Sequence, residues 1–270
     1  MANAETRVIV PMAEVAFDAY RSVFGRLGLL FEIAWLPLLL LLAAALLPGY
    51  LSTYLGWAVL PKWRGDAFGL HVEDMIEAVA GLLCLNAFAV RWHQTVLFTG
   101  ERQPPWQLFL SAWARFLAYS LLVYLVSSSL LATLLIADTL GAPSYLAPIA
   151  GGLAVLLWVG LVRCSLLFPA AAFGKPLGFA TAWRAMRGNS WRLFGCCFVA
   201  CAPVLLIVML LLSTTVALLH LDQITGRMPL GFFILRGLIG TCTDILVVAL
   251  GASVLSSFYR RIMLRGLGVF

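Results

Sequence analysis

Two carboxylates fall inside otherwise apolar stretches of this chain, Glu32 in LLFEIAW and Asp244 in GTCTDILVV. A charge in lipid is costly, so such acids face a bundle interior or water, pair with a base, or line a path for ions and protons. Glu32 lies about 9 Å along a helix from Arg26, at a depth within reach of Arg91, which predicts a structural Glu32–Arg91 ion pair. Asp244 is about 24 Å of helix from Arg260, and no cation but Arg236 approaches that depth. Thr241, Ser128 and Thr133 fall at comparable heights. They either line a polar cavity with Asp244 at its floor or bond across tightly packed helices, and both readings stay open.

The remaining reactive side chains point away from catalysis. Cys197 and Cys201 share a helical face, with Cys196 beside them, and soft thiolates suit copper(I). With no histidine near and no second CxxC, small packing residues are the simpler reading and no metal or cofactor is expected. His93, in RWHQ, is expected at a membrane interface in reach of headgroups, while His71 and His220 lie in loops. The chain has no HExxH, no paired-aspartate protease motif, no GxSxG and no glycine-rich phosphate loop. Ser253 in GASV has no histidine following it to act as base. The expectation is a protein that is not an enzyme.

The elements holding these residues are set by composition. Of 270 residues 63% are hydrophobic and 11% charged, less than half the charged share of soluble domains, and mean hydropathy is +1.00. Six stretches reach the length of a membrane span, at about 27–47, 75–98, 117–135, 146–168, 193–219 and 235–258. This predicts one integral membrane domain over 1–270, all-α, with six transmembrane helices in three hairpins. Lys62, Arg64, Arg227 and Arg236 fall on one side of these spans, and the other fourteen of the 18 Lys and Arg fall opposite. By the positive-inside rule both termini are cytoplasmic in a bacterial inner membrane. The +6 net charge then reflects anionic lipid rather than nucleic acid. The aromatic loop at 48–74, with Trp57 and Trp63, is expected on the outer membrane face.

The stretch AFGKPLGFATAWRAMRGNSWRLFG, Ala172 to Gly195, reads as an interfacial elbow. Phe179, Ala182, Trp183 and Met186 form one apolar face, Pro176 suits a first turn, Gly188 a stop, and Ser190 an N-cap for the next span. Met12, Val15, Ala16, Ala19, Tyr20 and Val23 make a similar face near the N-terminus, and Arg26 to Pro37 repeats the spacing of Arg192 to Pro203. A third elbow is expected after Pro104 and Pro105, where Trp106 precedes Arg115 by the nine residues that separate Trp183 from Arg192. Repeats at about 10–100, 104–172 and 175–270 follow, each an elbow plus a hairpin. The elbows would lie with apolar faces in the acyl boundary, and Arg91, Arg163, Arg184, Arg187 and Arg192 would form a rim touching lipid phosphates.

The run FPAAAFGKPLGFATAWRAMRGNSWRLF, with AVRWHQTVLFTGERQPP, resembles a group of bacterial inner-membrane proteins and is similar to the membrane domain attached to some glycerophosphodiester phosphodiesterases. About a third of the chain carries the likeness. The resemblance implies an architecture and brings no catalytic residues, since the hydrolase barrel of those larger proteins has no counterpart here. Two functional classes follow from the residues. One is an accessory or scaffold protein that organises anionic inner-leaflet lipid, or joins a larger membrane complex or homo-oligomer, through its basic rim. The other is a small transporter or amphiphile carrier built around Asp244.

Overall fold

The computed structural model describes residues 9–54, 72–98, 106–139, 146–218 and 230–264. Trp57, Trp63, Pro104, Pro105, His71, His220 and three of the four cations expected on the outer side (Lys62, Arg64 and Arg227) lie outside them, as does the side chain of Thr133. Every element among the described residues is helical: α1 Met12–Phe24, α2 Leu27–Tyr54, α3 Val72–Leu97, α4 Trp106–Thr139, α5 Leu146–Cys164, α6 Leu167–Ala172, α7 Phe179–Ala185, α8 Ser190–Leu218 and α9 Leu230–Tyr259, with a single π-helical turn at Arg260–Leu264. Six of them are long and apolar enough to cross a membrane, with α5 and α6 together making the fourth crossing. The chain is a multi-pass membrane protein in architecture.

Helix ends follow from local chemistry. Gly188 stops the α7 turn at φ +85°, a left-handed geometry that glycine adopts at no steric cost. The fourth crossing breaks at Ser165 and Leu166, because Pro169 has no N–H for the Ser165 carbonyl and its ring crowds that residue. Over residues 106–139 there is neither Gly nor Pro. The elbow expected after Pro105 is therefore absent as a separate element: Trp106 to Arg115 simply begins the 34-residue α4.

Packing concentrates at one end of the bundle. α9 is the axis, and α1, α2, α3, α6 and α8 all pack on it. Its Ala249, Leu250, Val254 and Phe258 are fully buried, joined by Phe88 and Trp92 of α3, Leu166, and Ala182 and Met186 of the α7 segment. α2 packs on α3 and α8 on α9, with a slighter contact between α4 and α5.

The two elbow segments are covered differently from expectation. Val15, Ala16, Ala19 and Val23 are buried as the periodicity requires, but against α8 and α9 rather than lipid. In α7 the predicted face divides. Ala182 and Met186 are wholly buried, whereas Phe179 and Trp183 are 50% and 40% exposed. The small and flexible side chains let the segment approach the protein, and the large rings are left to the outside.

Candidate functional site

Where α3 meets α9, polar side chains are sealed in the apolar packing. Trp92 donates its indole N–H to Ser253 Oγ at 2.8 Å, and Ser253 donates on to the Ala249 carbonyl. His93 Nδ1 lies 2.7 Å from Ser256 Oγ, its ring tilted against Phe116. Gln94 reaches the Ala172 carbonyl, and Ser120 of α4 donates to Asn86 Oδ1. His93 is thus buried inside the protein rather than set at a headgroup interface. Its neighbours on α4, α6 and α9 close over the last turns of α3. No carboxylate among the described residues bonds to His93, and Ser256 is fully enclosed. The pair clasps two helices.

The expected rim of cations is distributed among separate tasks. Arg91 stacks over Phe109 at 4.8 Å, and Arg163 over Trp183 at 4.7 Å. Arg192 donates to the Val10 carbonyl. Arg184 bonds the Ala180 carbonyl of its own turn, and both it and Arg187 are exposed. The expected Glu32–Arg91 ion pair does not form, because Arg91 turns to the α4 ring while Glu32 is exposed on α2. Ser190 does not cap α8; its hydroxyl donates back to the Met186 carbonyl.

A seam that sequence periodicity did not reveal joins the start of the chain to α8 and to the last turn. Arg261 bridges Glu14 at 2.8 Å and Asp18 at 3.0 Å. Val10 donates its N–H to Asn189 Oδ1, and Cys196 Sγ faces the Met12 carbonyl. The Tyr20 hydroxyl lies 2.8 Å from the Ala200 carbonyl and 3.3 Å from that of Val199. Val199 is the residue whose carbonyl Pro203 cannot serve, since proline has no N–H. Burial raises the Tyr20 pKa, with Cys201 adding to the effect, so the group stays a neutral donor.

Beside this seam opens a cleft of about 430 Å³ whose walls include Arg21, Arg26, Arg260, Ser22, Ser257 and Asp18. The one carboxylate is already engaged by Arg261. Arg260 donates to the Val96 carbonyl, but its Nε is buried with no partner. A buried, unmet guanidinium N–H beside two further arginines is the chemistry of an anion site. None of these three arginines belonged to the expected rim. Their signal was i, i+5 spacing around Gly25, but it joins Arg260 only through the tertiary fold.

Among the described residues the expected polar cavity is not assembled. Asp244 is exposed on α9, and its electrostatic neighbour is Glu77 of α3. Thr241 is buried and bonds the Gly237 carbonyl of its own helix, and Ser128 is half-buried on α4. The six cysteines are free thiols. No group of three His, Cys, Asp or Glu among the described residues is placed to hold a metal ion. Compared with known proteins, the chain is matched by no family model, no curated protein and no solved structure.

Proposed function

We propose that this chain is a non-enzymatic, multi-pass protein of a bacterial inner membrane, both termini cytoplasmic, that binds and organises anionic lipid headgroups at its basic end. The observation that carries the reading is the cleft of Arg21, Arg26 and Arg260, three guanidinium groups against one carboxylate that Arg261 already engages. Guanidinium groups recognise phosphate through paired, charge-assisted hydrogen bonds. The inner leaflet supplies such phosphates with a negative surface potential. A scaffold role fits the same surface, because lipid held there would brace α1 against α9.

A threefold plan of units belongs to this reading too, with the first turns of α4 standing where a second elbow was expected. In that plan Arg91 stacks on Phe109 of the second unit and Arg163 on Trp183 of the third, while Arg261 pairs with Glu14 and Asp18 of the first. Each unit would reach to the N-terminal helical turns of the next and the last would close on the first. The likeness to the membrane domain of glycerophosphodiester phosphodiesterases adds only architecture, and the lipid reading does not rest on it.

The test is lipid analysis of the full chain purified in mild detergent. Arg21→Gln with Arg26→Gln should lower co-purified phosphatidylglycerol several-fold and flatten its loss with added salt. Unchanged lipid content in a folded variant would refute the reading.

A further inference from the structure

Between Asp138 and Asp222 the sequence carries Arg163, Lys175, Arg184, Arg187 and Arg192 and not one acid. The chain cannot neutralise these cations locally. Arg163 is the most confined: its Nε is buried without a partner, and its guanidinium rests, among the described residues, on the face of Trp183. Leaving a charged N–H buried and unbonded is costly unless something outside the chain completes it.

Arg163 stands in the wall of a small cleft of about 140 Å³, with Gly188, Ser190 and Trp191 opposite, at the start of α8. A second, larger groove of about 380 Å³ runs beside it between α4 and α5, lined by Val126, Ser127, Ala154, Val155 and Leu161. Trp158 belongs to both. From Ala154 to Arg163 is about 14 Å of helix. The two adjoin at Trp158, the groove apolar along its length and the cleft carrying the cation. Trp183 and Trp191 are exposed beside the cationic end, where indole rings favour the headgroup level.

We propose that the adjoining cleft and groove bind one anionic glycerophospholipid, its phosphate against Arg163 and one acyl chain along the α4–α5 groove past Trp158. The site is separate from the Arg21, Arg26 and Arg260 cleft and reads a chain as well as a headgroup. It leaves α4 and α5, which touch each other only slightly, joined through the lipid.

The test titrates the detergent-purified full chain with dioleoyl phosphatidylglycerol, with dioleoyl phosphatidylcholine as control, and counts bound lipid by native mass spectrometry. Arg163→Gln should weaken one phosphatidylglycerol site roughly tenfold, the scale of one lost charge-assisted contact, while Arg163→Lys retains most of it. Ala154→Phe, which fills an open groove and disturbs no buried packing, should weaken the same site for the dioleoyl lipid. It should leave dihexanoyl phosphatidylglycerol unaffected. Retention of the site in Ala154→Phe would mean a phosphate contact without a chain groove and would overturn the proposal. So would retention in Arg163→Gln, or a dimer in which a second copy fills the groove. If lipid is lost only in Arg21→Gln with Arg26→Gln, this proposal fails while the first cleft stands.

Discussion

The Tyr20 hydroxyl reaches the α8 backbone at Val199 and Ala200, 2.8 Å from the latter, one turn before Pro203. A side chain from the first helix thereby serves a carbonyl region that proline leaves short of donors. The contact gives the α8 backbone a side-chain donor just before its internal proline. It also fixes the height of α1 along α8.

Tyr20→Phe removes one hydrogen bond and keeps the ring, so thermal stability in detergent should fall by about 1 kcal/mol. Pro203→Ala restores a helical N–H to Val199, and in that background Tyr20→Phe should cost less. Equal cost in both backgrounds would disconnect the tyrosine from the proline. The raised Tyr20 pKa sets the sign of a pH effect. A hydroxyl that ionises later in the folded state contributes its full stability below its ordinary value of about 10 and loses it as pH rises further. The difference between wild type and Tyr20→Phe should shrink there.

Arg261→Ala breaks both ion pairs to α1. The guanidinium is 14% exposed, but its partners Glu14 and Asp18 are 65% and 49% exposed. Solvent screening therefore limits the loss to about 1 kcal/mol. The clearer readout is local: the N-terminal segment should become sensitive to protease cleavage near α1 while the six spans stay intact. Arg261→Glu should be worse than Arg261→Ala, and Glu14→Arg with Asp18→Arg should recover part of that difference.

Ser253→Ala leaves the Trp92 indole N–H buried without its acceptor, a cost of about 1–3 kcal/mol. Trp92→Phe removes the donor together with part of the ring. The double variant should therefore be less destabilised than the sum of the two, and strict additivity would mean that the bond contributes nothing to packing α3 on α9.

The six apolar stretches and the α1 face were legible because length and periodicity are local properties. The burial of RWHQ was not. Apolar residues flank it whether its surroundings are lipid or protein, and a short polar run reads the same at a membrane surface as inside a sealed helix crossing. Only the arrival of Ser253 and Ser256 from another helix decides between them. The unbroken α4 was legible in the missing glycine and proline of 106–139, but the analogy between Trp106–Arg115 and Trp183–Arg192 outweighed that signal. The basic cleft lay beyond reach for a different reason: Arg26 and Arg260 are neighbours only because α1 docks beside the end of α9.

That docking has a consequence in time. Asp18 and Arg261 are separated by 243 residues, which a ribosome takes roughly 10 to 50 s to synthesise at 5–20 residues per second. Throughout that interval α1 has no α9 to cover its buried face, and each of the first five crossings enters the membrane before the axis they surround exists. Assembly of this bundle is therefore governed by its last helix, and a chaperone or insertase that shelters the early helices would have to wait for the C-terminal end before letting go.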